Sequence, residues 1–169
     1  LGKNGHPTDK IELIIKGGTW NSYPLSYQYW FVLKSFEAAN RLGQNKPRPL
    51  MRLTAAAPLN TLRRSLERAE GHNEKSRHRI IGLTLETRPD CISAKTIWQM
   101  REQGCTRIEL GVQHTSDKIL KLTKRGHDLA AAKRATKLLK NFGFKTDFHL
   151  MPQLPGATPA ADTTMLKKV

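Results

Sequence analysis

The chain has 169 residues, enough for one domain with a hydrophobic core but too few for two large independent domains. Hydrophobic residues make up 38% of it, and the mean hydropathy is −0.54. No run approaches the roughly 18 apolar residues that a membrane span requires, and no signal-peptide pattern opens the chain. These features argue against a membrane partner and lead us to expect a cytoplasmic protein.

The charge is strongly unbalanced, with 29 lysine and arginine residues against 14 aspartate and glutamate residues, a formal net charge of +15. Such a field favours a polyanionic partner, and nucleic acid is the first candidate. Two alternatives remain open: a basic surface that serves solubility, or one that pairs with acidic parts of a larger protein. Net charge says nothing about the fold.

The first predicted element is a buried strand over Lys10–Ile15, closed by Gly17 and Gly18. A helix with an apolar stripe is predicted from about Pro24 to Leu42, where Gly43 would stop it. The proline-rich, basic segment that follows predicts a surface connection over residues 44–58.

The remaining predicted elements continue the alternation of strands and helices. In chain order they are a helix over Leu59–Ala69 with Gly71 near its end, a strand over Arg79–Leu85 with a polar loop over Glu86–Asp90, a helix over Ala94–Gln103 between Ser93 and Gly104, a strand over Arg107–Val112 followed by Gln113, helices over Ser116–Leu122 and Asp128–Asn141 with a stop at Gly143, a strand over Lys145–Leu150, and a loop over Met151–Pro159.

Short strands that alternate with helices predict an α/β fold with a parallel sheet and right-handed crossovers. Small or polar residues follow each strand, and ligands of parallel α/β sheets and barrels collect at those strand ends. We therefore expect Thr19, Glu86, Gln113 and His149 to share one cleft.

The chemistry of these side chains suits a nucleoside, although each has a structural alternative. Gly17 and Gly18 allow backbone amides to approach a ligand, or they simply form a turn. Glu86 follows a buried strand, so its carboxylate either accepts ribose hydroxyls or forms a salt bridge with Arg88. Gln113 offers an amide to a base or ribose, and Arg125 offers a planar fork to a carboxylate or phosphate.

Metal ligands are not indicated by the remaining candidates. By frequency, His149 within a strand is a satisfied core histidine, and His114 and His127 have no partner at metal spacing. The two cysteines, Cys91 and Cys105, lack CxxC spacing and are expected to be ordinary small residues.

Five strings occur in an order and spacing that resembles the radical S-adenosylmethionine (SAM) domain of the Elongator catalytic subunit family. They are KIELIIKGGTW, GLTLETRPD, GCTRIELGVQ, KRGHD and FHLMPQLPGATP. The resemblance covers about residues 5–158 and is weakest over residues 44–71. ETRPD followed by GCTRIELGVQ is its most specific part.

The resemblance implies a partial (β/α)6 TIM-like barrel with parallel strands and outer helices, of which residues 1–169 would be the central part. It implies SAM on a [4Fe-4S] cluster, with acetyl-CoA as co-substrate. The family's three-cysteine loop and acetyltransferase domain are not in this sequence, so we expect no metal ligands here and no activity from the chain alone. The implied reaction installs a carboxymethyl-type group at carbon 5 of wobble uridine 34 in tRNA.

The resemblance also assigns roles to individual residues. Gly17, Gly18 and Thr19 would contact the amino end of SAM, and Glu86 its ribose, with Arg88 beside it in the ETRPD string. Gln113 and Arg125 would line the adenosine and carboxylate side, while His149 and Met151 would pack beside the adenine. Lys10 falls on a lysine that contacts acetyl-CoA. Expected partners are tRNA and either Elongator-type subunits or a second copy of the chain.

Four positions depart from the family pattern: Lys16 and Trp20 beside the glycine pair, Lys124 before RGH, and Gln153. Two other functions therefore remain open. One is a radical SAM enzyme of a sister family with a different substrate, and the other is a non-catalytic tRNA-binding protein on a degenerate barrel.

Overall fold

The computed structural model describes residues 2–42, 49 and 52–169, and within these ranges strands and helices alternate as predicted. The strands form one sheet in the order β1-β2-β3-β4, with β3 parallel to β4. The elements are β1 (Lys10–Ile15), α1 (Leu25–Arg41), α2 (Leu59–Asn73), β2 (Arg79–Thr87), α3 (Ala94–Glu102), β3 (Arg107–Gln113), α4 (Asp117–Leu122), α5 (Leu129–Asn141), β4 (Lys145–Leu150) and α6 (Pro159–Lys168).

Two elements run further than the sequence predicted. β2 continues through Glu86 and Thr87, where we expected a loop, and the Thr87 side chain is buried. α2 passes through Gly71 to Asn73, whose amide donates to Asn40 Oδ1 at 2.7 Å and whose Oδ1 accepts from the Ile80 amide at 2.7 Å. These long-range bonds hold the last turn of α2 and outweigh the weak tendency of glycine to end a helix.

β1 has the predicted bounds but is not buried. Its side chains alternate between exposed and half-buried, and Ile14 is 48% exposed. Within the described residues β1 is an edge strand that pairs with β2 alone, so its side chains have neighbours on fewer sides than those of a central strand.

The connection between α1 and α2 is described only in part. Its described residues, 49 and 52–58, form no helix or strand, and the predicted stop at Gly43 lies outside the described residues.

α6 was missed by the sequence analysis, which placed a loop up to Pro159. Thr158 Oγ1 accepts a hydrogen bond from the Ala161 amide at 3.2 Å, and Pro159 occupies the first turn. A threonine cap followed by proline is a recognised helix start, so the signal was available.

The contacts of the chain divide it into two compact units, which are described separately. Unit 1 comprises Leu1–Ile15, Trp20–Thr84 and Gln99–Thr106, and unit 2 comprises Lys16–Thr19, Leu85–Trp98 and Arg107–Val169. None of the helices that the structure describes is long and apolar enough to cross a membrane.

Unit 1 is built on the packing of α1 against α2, with Leu33, Leu62 and Leu66 fully buried. Tyr29 donates to Glu102 at 2.7 Å, and burial together with this bond raises the pKa of Tyr29 to about 12. Arg63 pairs with Glu102 at 3.0 Å and lies over the Tyr29 ring.

Unit 2 contains the strand ends that carry the predicted site. Its buried apolar side chains come from β2, α3, β3 and the helices α4 and α5, and they include Leu85, Ile97, Ile108, Leu110, Leu120 and Leu139. This packing fixes the backbone on which the site residues stand.

Candidate functional site

Four charged side chains of unit 2 meet at the strand ends: Lys16, Glu86, Glu109 and His149. His149 Nδ1 lies 3.3 Å from Glu86 Oε1, and His149 Nε2 lies 2.8 Å from Glu109 Oε2. Lys16 Nζ lies 3.1 Å from the same Glu109 oxygen. We call this set the strand-end cluster.

His149 connects the two carboxylates, because each ring nitrogen faces one of them. A neutral imidazole has a single N–H and can donate to only one carboxylate, whereas the imidazolium donates to both. The two contacts are therefore ion pairs only when the imidazole is protonated. We expected His149 to be a core histidine, but its side chain is 32% exposed and both of its partners are carboxylates.

Glu109 is the main residue that the sequence analysis missed. It lies in the middle of β3, and its side chain is only 10% exposed. A carboxylate inside the apolar string RIELGV needs a partner, and the same argument that identified Glu86 applies to it. The signal was present in the sequence, but its partners come from other strands and are not visible there.

The cluster resembles a metal site only in its spacing. Ligand atoms of Glu86, Glu109 and His149 lie within 4.8 Å of one another. However, the Lys16 ammonium lies 3.1 Å from Glu109 Oε2, and a positive charge beside a ligand oxygen repels a cation. We therefore assign no metal to it.

The glycine pair borders the cluster and leaves room beside it. Gly17 and Gly18 have φ angles of 115° and 123°, which side chains rarely adopt, and a Cβ at either position would meet nothing within 4 Å. The Gly17 amide donates a long bond of 3.4 Å to Glu86 Oε2. Thr19 follows in the same segment of unit 2 and is half-buried.

A second group forms where β3 and β4 end. Gln113 has a φ of 69°, and its carbonyl accepts from the Met151 amide at 2.8 Å, where the register of the two strands shifts. Arg125 Nη2 lies 3.0 Å from Met151 Sδ. The buried Gln113 Oε1 has no hydrogen-bond partner in the described part of the chain. An unpaired buried acceptor of this kind suits a donor on a ligand.

Arg88 is directed elsewhere. Its guanidinium binds Asp90 through two bonds of 2.9 and 2.7 Å, which raise the pKa of Arg88, and a Cβ on Gly126 would lie 2.5 Å from its Nη2. The alternative of a salt bridge between Glu86 and Arg88 was wrong, because Glu86 pairs with His149 instead.

The remaining candidates, Lys10, His114 and His127, are not part of the strand-end cluster. Lys10 is the exposed first residue of β1, in unit 1. His114 is buried with its Nε2 3.4 Å from Asp162, and His127 Nε2 lies 3.2 Å from the Val112 carbonyl. Both histidines therefore have structural partners.

Comparison with known proteins decides the family. The model of the radical SAM superfamily matches residues 29–166, which is most of the chain. The chain belongs to the radical SAM superfamily.

Several proteins of known name are similar to most or all of the chain. The tRNA uridine(34) acetyltransferase of Methanocaldococcus infernus is 43% identical over 169 residues, and that of Dehalococcoides mccartyi is 41% identical over 98% of the chain. Elongator complex protein 3 of Schizosaccharomyces pombe is 34% identical over 89% of the chain. The chain spans only 28%, 32% and 24% of these proteins.

Solved radical SAM structures agree with the predicted α/β barrel fold. A structure of Methanocaldococcus infernus Elp3 with an N-terminal deletion is 42% identical, with a TM-score of 0.83; the match covers 99% of this chain and 35% of that one. Coproporphyrinogen III oxidase of Escherichia coli has a TM-score of 0.52 at 15% identity, covering 94% of this chain and 39% of that one, and shows the fold alone.

Radical SAM proteins use SAM and a [4Fe-4S] cluster, and the described residues fit the first of these. The open space beside Gly17 and Gly18, the carboxylate of Glu86 and the unpaired Gln113 Oε1 offer a nucleoside ligand room, an acceptor for ribose hydroxyls and an acceptor for an amine.

The iron–sulfur cluster does not fit the residues of this chain. Cluster ligation takes cysteine thiolates, and the resemblance implies three of them, whereas the chain contains two cysteines. Cys105 is fully buried, and burial raises the pKa of Cys91, which opposes formation of a thiolate.

Proposed function

We propose that residues 1–169 are the central part of a SAM-binding barrel in an enzyme that installs a carboxymethyl-type group at carbon 5 of tRNA uridine 34. Acetyl-CoA would be the co-substrate. The observation that carries the proposal is the strand-end cluster beside the open glycine pair, in a chain 43% identical over its whole length to a tRNA uridine(34) acetyltransferase. The tRNA substrate follows from the names of the relatives.

SAM, when bound, supplies the radical chemistry of this superfamily, and the residues of the chain bind and orient it. We assign Gly17, Gly18 and Thr19 to its amino end and Glu86 to its ribose. Glu86 Oε1 faces His149, while the one bond of Oε2 to a residue that the structure describes is the 3.4 Å bond from Gly17, so we assign Oε2 to a ribose hydroxyl.

The second group would hold the rest of the cofactor. Gln113 and Arg125 are assigned to the adenosine and carboxylate side, His149 and Met151 to the adenine, and Arg88 remains a candidate only through the ETRPD string. Lys10 is assigned to acetyl-CoA. The expected partners are tRNA and either Elongator-type subunits or a second copy, in the cytoplasm, and the chain alone is expected to be inactive.

The carboxylate of Glu86 gives the sharpest test of SAM binding. Glu86→Gln keeps the shape but removes the charged acceptor, and we expect SAM affinity to fall by about 10- to 100-fold, the range for a hydrogen bond to a charged group. SAM titration of the 169-residue chain, followed by nuclear magnetic resonance, measures this.

The matched control is Asp147→Asn on β4, which removes an exposed carboxylate paired with Arg107. It should leave SAM affinity unchanged. Urea unfolding of both variants separates a lost contact from a lost fold. Equal SAM affinities for parent and Glu86→Gln would refute the assignment of Glu86.

Replacing the matching segment of the Methanocaldococcus infernus enzyme with this chain distinguishes the remaining functions. Under anaerobic conditions the proposed function requires both SAM cleavage and modified uridine 34, detected by mass spectrometry. SAM cleavage without modified uridine would favour a sister radical SAM family with another substrate.

The contact between Lys16 and Glu109 favours one further candidate, a non-catalytic tRNA-binding protein. The resemblance implies methionine at position 16, where this chain has lysine. The Lys16 ammonium forms an ion pair with Glu109 of the strand-end cluster. This candidate predicts tRNA binding without SAM cleavage by the exchanged enzyme.

A further inference from the structure

Unit 2 contains an open cavity of about 1120 Å³ that the assigned SAM residues do not explain. Its walls are α4, α5 and the turn over residues 89–92, and Arg125 is the only assigned SAM residue among its lining residues in the described chain. We call it the α4–α5 groove. A space of this size holds several groups of a polymer rather than one ion.

The acidic residues of the groove are occupied by the fold. Asp90 binds Arg88, Asp117 Oδ1 accepts from the Leu129 amide at 2.7 Å, and Asp128 Oδ1 accepts from the Ala131 amide at 2.7 Å. These three carboxylates are therefore already partnered by a guanidinium or by backbone donors.

The basic residues of the rim are free by contrast. Lys121, Lys124 and Arg134 are exposed, and none of their side chains has a hydrogen bond or ion pair to another residue that the structure describes. The backbone bonds leave Asp117 and Asp128 charged, but Arg88 neutralises Asp90. With Arg125, the lining carries four cations against these carboxylates, and the excess of positive charge attracts an anion. The separation of the cations along two helices favours a ligand with repeated negative charges.

The outer surface of α5 extends this charge beyond the groove. α5 carries Lys133, Lys137 and Lys140 at exposed positions three or four residues apart, so they share one side of the helix, and it contains no acidic residue. A polyanion that enters the groove can thus continue along α5.

The floor of the groove is apolar but offers no stacking platform. It is formed by residues such as Ile92, Leu120 and Leu138, with no phenylalanine, tyrosine or tryptophan among the described lining residues. The one imidazole, His127, is engaged with the Val112 carbonyl. Base recognition uses stacking or hydrogen bonds to base edges, whereas lysine and arginine side chains suit phosphates.

We propose that the α4–α5 groove binds the ribose-phosphate backbone of RNA, with Lys121, Lys124 and Arg134 each contacting a phosphate. The groove positions the RNA without reading its sequence. That the RNA is tRNA rests on the proposed function.

The test compares two triple variants of the 169-residue chain with the same change in net charge. The groove variant is Lys121→Gln, Lys124→Gln, Arg134→Gln. The control is Lys75→Gln, Arg77→Gln, Lys95→Gln, which removes three exposed cations outside the groove. Binding of unmodified tRNA transcript is measured by filter binding from 0.05 to 0.3 M salt, and circular dichroism checks the fold.

Loss of three phosphate contacts lowers the slope of log affinity against log salt by about 2 to 3, and lowers affinity about 100-fold at 0.1 M salt. We expect this for the groove variant, while the control changes the slope by less than about 1.

Equal losses in the two variants would overturn the groove, because the net field alone would then explain binding, but would leave tRNA as a partner. A parent chain that binds no tRNA even at 0.05 M salt would overturn both the groove and the tRNA partner. The SAM titration with Glu86→Gln is unaffected by either result and tests the cofactor site separately.

Discussion

At the scale of single residues, the most informative contact is the one between His149 and Glu109. The carboxylate is buried in β3 and has two basic partners, Lys16 and His149, at 3.1 and 2.8 Å. Burial makes a carboxylate costly unless such partners are present. The strand-end cluster is therefore a set of mutually dependent charges.

Glu109→Gln tests this dependence. The amide cannot form an ion pair with Lys16 or His149, so we expect the free energy of unfolding to fall by about 1 to 3 kcal/mol, the cost of removing one partner of a buried polar group. Urea denaturation measures it. Asp147→Asn, which removes the exposed pair with Arg107, should cost less than about 1 kcal/mol. Equal costs would show that the cluster adds no stability.

Glu70 is a second residue whose charge is costly. It borders a small cavity of unit 1, its Oε1 has no hydrogen-bond partner among the described residues, and a Cβ on Gly104 would lie 2.7 Å from that oxygen. Burial, with the nearby charge of Glu67, raises the pKa of Glu70 from 4.5 to about 7.

This raised pKa predicts a pH dependence of stability. The folded state holds the proton more tightly than the unfolded chain, so the contribution of Glu70 is complete below pH 4.5 and is lost as pH rises through about 7. Glu70→Gln removes this loss. Relative to the parent, its free energy of unfolding should rise by about 1 kcal/mol or more between pH 5 and 8, allowing for partial solvent screening.

Urea denaturation at pH 5, 6, 7 and 8 measures this difference. The control is Glu74→Gln, which removes an exposed carboxylate at the end of the same helix. A difference between Glu70→Gln and the parent that does not change with pH would contradict the raised pKa.

At the scale of elements, α6 shows how a short helix is anchored. Met165 is fully buried, and Asp162 accepts from the Gln153 amide at 2.9 Å and lies 3.4 Å from His114. The bond to Gln153, whose φ is 61°, ties the loop after β4 to the helix. α6 thus depends on one apolar side chain and one buried carboxylate.

Met165→Ala should loosen α6 selectively. Removing a buried methionine side chain costs about 2 to 5 kcal/mol, which exceeds what a helix of this length recovers by itself. Relative to the parent chain, we expect Met165→Ala to accelerate amide hydrogen exchange in α6 but not in β3. Leu166→Ala is the neighbouring control, since Leu166 is 64% exposed and should have little effect. The same exchange rates in both variants would mean that Met165 is not the anchor.

At the scale of the whole molecule, the structure shows where the cations behind the net charge of +15 lie. Some cations form ion pairs within the chain, such as Arg63 with Glu102 and Arg107 with Asp147. Others, such as Lys121 and Arg134 in the α4–α5 groove, have no partner in the described chain. Composition predicts an anionic partner, but only the arrangement selects the surface.

The sequence determined the alternation of strands and helices, the bounds of β1 and β4, and the presence of Glu86 and His149 at strand ends. These features depend on local periodicity, on turn glycines and on the rule that parallel strands share one edge. Such patterns can be recognised from residues that are close together in the sequence. The family resemblance, confirmed by the radical SAM match, rests on the same strings.

Only the tertiary structure decided which charges meet. Glu109 joins Glu86 through His149, Arg88 turns to Asp90, and Asn73 keeps α2 helical past Gly71. Each outcome depends on side chains that are distant in sequence or that compete for the same partner. The physical reason is that a buried charge is costly unless an opposite charge lies close to it. Which charges lie close is set by the packing of strands and helices rather than by their order in the sequence.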